Sequence, residues 1–306
     1  MCLKEIAAPD FDLARTLDSG QVFHWERVGD GYAGTIDSNG VYAEQRRNRL
    51  FFFGTSAEVI GNYFALDHPL AEIRRSFPND PAMAAARDFC RGLRIIRQPR
   101  WECLATFITS SMKQVAHIRQ ISQALRTRFG ARDVIDGSHV YAFPVPARLA
   151  RATEKELRQC ALGYRAKNLR LTAQRISSGA ANLDSWGELS DDALRMRLCE
   201  LPGVGAKVAN CVMLFAYERL RAFPIDVWIE RVLKQKYFPR RRSVTARQLR
   251  AFCESYFGEH GGYAQQYLFH HARKGSAGKV ATPKRRVSAR VVRPGDLRYD
   301  SPARNR

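Results

Sequence analysis

The sequence Leu201-Pro-Gly-Val-Gly-Ala-Lys-Val-Ala-Asn-Cys211 decides the fold of this chain, because it places two glycines between segments whose apolar residues have helical spacing. Lys207 lies just inside the second of these predicted helices. The sequence Phe223-Pro-Ile-Asp-Val-Trp228 follows after an apolar run, and its Asp226 is typical of a residue that begins a further helix. The pattern predicts two helices joined by a tight hairpin, with a lysine and an aspartate close behind it.

The glycines of the hairpin, Gly203 and Gly205, allow two interpretations. Glycine lets the backbone N–H groups at a helix N-terminus approach a phosphate oxygen closely, which would make the hairpin a DNA-backbone site. A Gly-x-Gly sequence between helices is more often only a tight turn. The strongly basic composition of the chain favours the phosphate site.

Lys207 and Asp226 also allow two interpretations each. Most lysines are solvated at the surface, but the residues from Val208 to Phe215 are largely apolar, so Lys207 could instead lie at the bottom of a pocket. An amine withdrawn from water in such a pocket would be available as a nucleophile. Asp226 could simply cap the helix that follows it, and a capping aspartate can also direct one carboxylate oxygen into a cleft.

The charge of the chain points to its class of partner. The 306 residues carry a formal net charge of +20, which implies a polyanionic partner, most simply nucleic acid, with an acidic membrane surface as the weaker option. Part of the excess lies after residue 273, where ten basic residues stand against two acidic ones. The remaining chain is basic too, and the whole is long enough for two domains.

Seven cysteines are present, and no two of them have Cys-x-x-Cys spacing. The odd number argues against a disulfide framework, and the spacing argues against a zinc or iron–sulfur site. Free cysteines fit a reducing, intracellular compartment. The sequence shows neither a signal peptide nor an apolar run of about 18 residues, so the expectation is a soluble protein that is not exported, does not bind membranes and holds no metal.

The pattern of the sequence divides the chain into three parts. Residues 1–82 predict an antiparallel β-sheet domain with one or two helices, and residues 83–274 predict an all-α domain. Residues 275–306 are rich in Lys, Arg, Ser and Pro, and they predict a disordered basic tail. The predicted fold class is therefore α+β.

Local signals place some elements within these parts. Strands at 31–36 and 41–45 predict a β-hairpin whose turn is Asn39-Gly40, because both residues tolerate positive φ. Helix starts are predicted at Asp80-Pro81 and at Thr153, which forms a capping box with Glu156.

The hairpin with Lys207, followed by Pro224-Ile-Asp-Val227, resembles the helix-hairpin-helix signature of the base-excision DNA glycosylases. The form that carries a lysine resembles the 8-oxoguanine DNA glycosylase branch, whose members combine glycosylase and AP-lyase activity. Four further segments resemble that branch in the same order: Ser19–Trp25, Glu102–Ser111, Leu162–Ala166 and Tyr263–Phe269. The resemblance extends roughly over residues 10–274, and five spaced matches are not expected by chance.

The resemblance implies a mechanism that needs no metal or redox cofactor. Lys207 would attack C1′ of an extruded nucleotide and displace its base, and the resulting Schiff base would make the neighbouring sugar proton acidic enough for β-elimination to nick the strand. Asp226 would stabilise the cationic sugar as the glycosidic bond breaks. The implied partner is double-stranded DNA that contains 8-oxoguanine, bound by a monomer.

Four positions match residues that contact the lesion base in this branch. The main-chain carbonyl of Gly20 would accept the N7–H that guanine lacks, and Gln265 would bind the Watson–Crick edge. Phe269 and Cys211 would cover the two faces of the base. The residues also have ordinary explanations, because Ser-Gly is a common turn and a Gln/Phe pair four residues apart is more often found in a core or on a surface.

Further positions match residues that hold the DNA. Gly203 and Gly205 occupy the hairpin turn, and Tyr164 and Arg165 match residues that wedge into the duplex and contact the orphaned partner base. A wedge is needed because extruding a nucleotide costs a few kcal/mol.

Other DNA-contacting positions depart from the branch. Met112, Lys113 and Gln114 stand in place of three asparagines, and His117 stands in place of an arginine. Those positions fill the vacated stack and read the opposite cytosine, so we expect Gln114 and His117 to contact DNA with a relaxed preference for cytosine. Trp228 stands where the branch has a histidine that touches a phosphate.

Two other functions remain open. The chain could be a glycosylase of the same fold for alkylated or other oxidised bases, but the alkylated-base group typically lacks the lysine at position 207. It could also be a non-catalytic helix-hairpin-helix module that binds DNA. Such a module would not need Lys207 and Asp226 together with the Gly20, Gln265 and Phe269 set.

Overall fold

The computed structural model describes residues 3–110, 114–135, 137–241 and 243–275. These residues form an N-terminal antiparallel sheet followed by a helical domain, which confirms the α+β fold class. The strands are β1 (Lys4–Ala7), β2 (Glu26–Val28), β3 (Gly31–Ile36), β4 (Asn39–Arg46), β5 (Arg49–Phe53), β6 (Arg132–Ile135) and β7 (Ser138–Tyr141). Met112, Lys113 and nearly all of the predicted tail lie outside the described residues.

Fourteen helices occur in the same ranges. They are α1 (Leu13–Asp18), α2 (Ala57–Tyr63), α3 (Leu70–Arg75), α4 (Pro81–Phe89), α5 (Arg100–Ser110), α6 (Val115–Phe129), α7 (Pro146–Arg151), α8 (Glu154–Gln159), α9 (Arg165–Ser177), α10 (Asp191–Cys199), α11 (Ala206–Ala216), α12 (Val227–Lys236), α13 (Ala246–Tyr256) and α14 (Gly261–Gly275). Asp80 caps α4 and Thr153 forms a capping box with Glu156, which confirms both predicted helix starts.

Five strands form one sheet in the order β1-β5-β4-β3-β2, with every neighbouring pair antiparallel. One face of this sheet buries Val41, Leu50 and Phe52 against helices α1 and α2. The indole of Trp25 completes this core, and its Nε1 donates a hydrogen bond to the Tyr63 hydroxyl (3.0 Å). The segment that follows α1 is thereby attached to the sheet.

The turn between β3 and β4 differs from the prediction. Ile36 pairs with Asn39, so the two turn residues are Asp37 and Ser38, and Asn39-Gly40 belongs to β4. Asp37 has φ +53°, a conformation that aspartate tolerates better than most residues. Gly40 has another role, because a Cβ there would lie 2.5 Å from Ile135 Cγ1.

The prediction of an all-α second part is also incomplete. Strands β6 and β7 form a separate two-stranded hairpin within the helical part. The hairpin packs on the second face of the large sheet, where Ile135 and Val140 contact Ala33 and Tyr42. The backbone N–H of Gly40 donates to the Asp133 carboxylate across this contact (2.9 Å).

A large apolar core holds the helices together, with α11 packed against α5 and α10 near its centre. The residues from Val208 to Phe215 are all buried, which explains the long apolar run after the hairpin. The helix α14 packs on α4 and α12. The start of α11 and the start of α12 lie close enough for the charge of Lys207 to act on Asp226.

A buried arginine joins the sheet to the helical domain. Arg126 of α6 is 1% exposed, and its Nη1 donates to Thr35 Oγ1 of β3 and to the Tyr141 carbonyl of β7 (2.8 Å each). Its Nη2 donates to the Glu102 carboxylate of α5, which also lies 3.4 Å from His24 Nδ1. One side chain therefore connects elements of both parts of the chain.

Candidate active site

The hairpin presents the N-terminus of α11 to solvent. Gly203 has φ +84°, and a Cβ there would lie 2.8 Å from the Asn168 Cβ, so the turn needs glycine at this position. Gly205 stands at the N-cap position of α11 and, having no side chain, makes no capping hydrogen bond. A Cβ added there would meet nothing within 4 Å. The first N–H groups of α11 therefore face open space, as a phosphate site requires.

Lys207 is half-buried on the first turn of α11. Its Nζ lies 3.4 Å from Ser110 Oγ and 5.0 Å from the centre of the Phe107 ring. Phe107 stacks on Phe215, with ring centres 5.5 Å apart and planes at 9°. The amine thus lies over an apolar surface beside one hydroxyl group.

Cys211 lies one turn after Lys207 and is buried. Burial raises the pKa of the Cys211 thiol, and the nearby charge of Lys207 only partly opposes that shift. Because the thiol stays protonated at neutral pH, it offers a polarizable, uncharged surface next to the amine.

Asp226 caps α12, as the sequence predicted. Its Oδ1 accepts a hydrogen bond from the Ile229 N–H (2.8 Å). Burial raises the pKa of Asp226, while the hydrogen bonds from Ile229 and Trp228 and the charge of Lys207 oppose that shift. The cap and the electrostatic contact with Lys207 occur together, so neither interpretation excludes the other.

Gly20 lies in a loop that other residues hold firmly. Its φ is +88°, and a Cβ there would lie 3.2 Å from Cε1 of Phe269. The carbonyl before it accepts from Gln266 Nε2 (3.1 Å), and the carbonyl after it accepts from Gln98 Nε2 (2.7 Å). The Gly20 carbonyl accepts no hydrogen bond from any described residue, so it is available to a ligand.

Gln265 and Phe269 lie four residues apart on α14. Gln265 is 4% exposed, and its Oε1 is buried without a hydrogen-bond partner among the described residues. A buried, unpaired amide oxygen costs about 1–3 kcal/mol, which is typical of a group kept for a ligand. Phe269 is half-buried beside Gly20. The structure therefore brings Gly20, Gln265 and Phe269 to one place, as the resemblance implied.

Two contacts connect this loop to the helices around Lys207, one to α5 and one to α11. Phe23, three residues after Gly20, meets Phe107 edge-on with ring centres 6.5 Å apart. The backbone N–H of Gln98 donates to the Phe215 carbonyl (2.7 Å), while the Gln98 side chain binds the loop. None of these connecting residues carries a signal in the sequence beyond being apolar or amide.

Tyr164 and Arg165 are presented differently. Tyr164 is 63% exposed before α9, whereas Arg165 is 5% exposed and its guanidinium carbon lies 4.3 Å from the centre of the Tyr164 ring. Arg165 Nη1 also donates weakly to the Leu162 carbonyl (3.5 Å). Only the tyrosine is directed to solvent in this conformation.

Gln114 and His117 are exposed at the start of α6. Trp228 is 37% exposed on the first turn of α12, with the guanidinium of Arg231 5.4 Å from its ring. These three side chains are therefore accessible to DNA at the surface of the protein.

A separate cleft of about 970 Å³ is lined by Arg97, Gln98 and Tyr217, and by none of the candidate residues. Arg97 is already paired with Asp67 and Glu218 there. The cleft is therefore not the site of the predicted chemistry. No helix in the described part of the chain is long and apolar enough to cross a membrane.

Comparison with known proteins agrees with this geometry. The family described as the N-terminal domain of 8-oxoguanine DNA glycosylase matches residues 5–104, and the family described as HhH-GPD superfamily base excision DNA repair protein matches residues 105–258. An N-glycosylase/DNA lyase of Arabidopsis thaliana is 30% identical over 85% of this chain and 77% of its own length.

Solved structures give the same result. The 8-oxoguanine glycosylase/lyase of Clostridium acetobutylicum, bound to double-stranded DNA with cytosine opposite 8-oxoguanine, is 31% identical over 90% of this chain and 99% of that chain, with a TM-score of 0.83. A 3-methyladenine DNA glycosylase from Archaeoglobus fulgidus is 18% identical over 89% of this chain and 99% of that chain, with a TM-score of 0.75. The second likeness concerns the fold alone.

Proposed function

Because the chain belongs to the 8-oxoguanine DNA glycosylase branch of the HhH-GPD superfamily of base-excision DNA repair proteins, we propose that it excises 8-oxoguanine from double-stranded DNA through a Schiff base on Lys207 and then nicks the strand. The observation that carries the proposal is the position of Lys207, whose half-buried amine lies over Phe107 and interacts with Asp226 and Cys211.

The chemistry follows from these neighbours. The Lys207 nitrogen forms a bond to C1′ as the bond from C1′ to the base breaks, and the nitrogen gives up a proton while the leaving base gains one. The Asp226 carboxylate stabilises the positive charge that develops on the sugar. Opening of the sugar ring gives the Schiff base, and loss of a C2′ proton then expels the 3′-phosphate.

The lesion is selected by a separate group of residues. The free carbonyl of Gly20 accepts the N7–H of 8-oxoguanine, which guanine lacks. Gln265 Oε1 gains a hydrogen-bond partner that it lacks among the described residues. Phe269 and the Cys211 thiol cover the two faces of the extruded base.

The duplex is held around this pocket. Gly203 and Gly205 at the start of α11 bind a backbone phosphate, Tyr164 with Arg165 fills the space left by the extruded base, and Gln114 and His117 contact the opposite strand with a relaxed preference for cytosine. We propose that a monomer performs the reaction on DNA inside the cell, in a bacterial cytoplasm or a nucleus.

Trapping with borohydride tests the mechanism. Duplexes that carry 8-oxoguanine opposite each of the four bases should give a covalent adduct with the wild-type protein and none with Lys207→Gln. Lys234→Gln, which removes a lysine from the exposed surface of α12, is the matched control and should form the adduct normally. An adduct with Lys207→Gln, or no adduct and no base release with any duplex, would contradict the proposal.

A further inference from the structure

Arg273 lies one turn after Phe269 on α14 and contacts two parts of the lesion-recognition site. Its guanidinium carbon is 5.6 Å from the centre of the Phe269 ring. Its Nη2 donates a hydrogen bond to the carbonyl of Asp18, and a Cβ at Gly20 would lie 3.4 Å from its Nη1. One side chain therefore touches both the aromatic ring that covers the base and the loop whose carbonyl reads it.

Burying a guanidinium at this position is energetically unfavourable. Arg273 Nε is buried and has no hydrogen-bond partner among the described residues. Burial lowers the pKa of Arg273, and the positive charge of Arg119 lowers it further. A methionine could cover the Phe269 ring without burying a charge, and such replacements are often neutral or stabilising. Stability alone therefore does not explain an arginine here.

The hydrogen bonds of the loop indicate what the arginine does. Two successive carbonyls accept from side chains of α14, since Asp18 O accepts from Arg273 and Ser19 O accepts from Gln266 Nε2 (3.1 Å). Arg119 of α6 holds the Asp18 carboxylate from the other side (2.9 Å). The third carbonyl in the series, that of Gly20, is the one left unbound, and its direction is set by the two before it.

We propose that Arg273 is a positioning residue for lesion discrimination, which holds the Phe269 ring and the Gly20 carbonyl in one fixed relation so that both meet the same base. The inference rests on the proposed function, because it assigns Gly20 and Phe269 to the base. A single hydrogen bond from N7–H distinguishes the lesion from guanine at this loop, so a small change in the direction of the carbonyl weakens the selection.

Two substitutions separate the contacts of Arg273. Arg273→Met keeps apolar cover on Phe269 but loses the hydrogen bond to Asp18, and Arg273→Lys keeps one donor and the charge. We expect Arg273→Met to lower the single-turnover rate of 8-oxoguanine release roughly 10- to 100-fold, and Arg273→Lys to recover part of that rate. Cleavage of a preformed abasic site should change less than about twofold in both, because Lys207 and Asp226 are untouched.

Lys274→Ala is the matched control, because it removes one positive charge from the exposed neighbouring position on α14. It should leave both rates unchanged. The inference is overturned if Arg273→Met leaves 8-oxoguanine release unchanged, if it lowers release and abasic-site cleavage equally, or if Lys274→Ala has the same effect. Failure of the wild-type protein to release 8-oxoguanine would instead overturn the proposed function, and this inference with it.

Discussion

Two groups of residues face the proposed substrate, and they are built in different ways. The catalytic group, Lys207 and Asp226, comes from one continuous stretch that forms α11 and the cap of α12. Cys211, which we assign to one face of the base, also lies on α11. The recognition group, Gly20, Gln265 and Phe269, joins the loop after α1 to α14, the last described helix. In the proposed mechanism, local backbone geometry positions the catalytic residues. The choice of base depends instead on how the loop after α1 packs against α14, near the other end of the described chain.

Each group also buries one polar atom at a cost, but the compensation differs. The Asp226 carboxylate recovers part of its desolvation through the N–H groups at the start of α12. Gln265 Oε1 has no partner among the described residues. The catalytic group is therefore partly stabilised by the fold itself, and the recognition group becomes fully satisfied only when a ligand is bound.

The largest expected effect is that of Asp226→Asn on both reactions. Asparagine keeps the helix cap but removes the negative charge, so base release and abasic-site cleavage should both fall by about 10²–10³-fold. Asp80→Asn is the control, because it makes the same change in an aspartate that caps another helix, α4, and it should leave both rates unchanged. If Asp226→Asn retains base release or abasic-site cleavage, Asp226 is not required for that reaction.

The same variant has a testable pH dependence. Burial raises the folded-state pKa of Asp226 above its unfolded value, so the folded protein binds this proton more tightly than the unfolded chain does. Stability is then lost as the pH rises through that interval. Asp226→Asn should not show this loss, and the difference in Tm between the variant and the wild type should grow from acidic to neutral pH.

Gly20→Val should impair the recognition group and leave the catalytic group working. The substitution introduces a side chain at φ +88° and directs it at Phe269, so 8-oxoguanine release should fall by about 10²-fold while preformed abasic sites are still cleaved. Gly179→Val is the matched control, because Gly179 has a similar φ of +80° but open space around it. Equal loss of both activities in Gly20→Val would mean that the loop serves the whole site.

Gln265→Met should lower activity less than Gly20→Val does, and it should not destabilise the folded protein. The near-isosteric side chain removes the buried, unpaired oxygen, so Tm should stay the same or rise. Removal of the hydrogen bond to the base should lower kcat/KM for 8-oxoguanine about tenfold, which corresponds to about 1.4 kcal/mol. A lower Tm in this variant would show that the amide already has a stabilising role in the protein alone.

The smallest effect is expected from deleting residues 276–306, which carry nine basic and two acidic residues. Non-specific affinity should become less dependent on salt, with the slope of log K against log salt smaller by about 0.9 for each phosphate that the shortened protein no longer neutralises. Both rates at saturating DNA should stay the same, because the deletion touches neither group. An unchanged slope would contradict a role for this segment in DNA binding.

The sequence predicts best those features whose hydrogen bonds lie within a few residues. Asp226, Asp80 and Thr153 each accept from backbone N–H groups two or three positions ahead, so the residue type and its place before an apolar run are sufficient. The hairpin before α11 is also predictable from a local property, because Gly203 needs a positive φ.

Features that depend on distant partners are harder to predict. Asn39-Gly40 has the composition of a turn, yet Gly40 is required because β6 passes directly over it. The strands β6 and β7 bury only one residue each, Ile135 and Val140, so neither shows an alternating pattern that would mark it as a strand. The residues of the recognition group became candidates through the family resemblance, because no local pattern distinguishes them.

The contacts of the Arg126 guanidinium affect how the protein unfolds. The guanidinium is held by Glu102 on one side and by Thr35 on the other, and Ile96, from the chain beyond residue 82, lies in the core of the sheet. Separating the chain at residue 82 would leave the Arg126–Glu102 pair without its hydrogen bond to Thr35, and it would take Ile96 out of the core of the sheet. The sheet and the helices should therefore melt in one cooperative transition, and residues 83–275 alone should not yield a stable fragment.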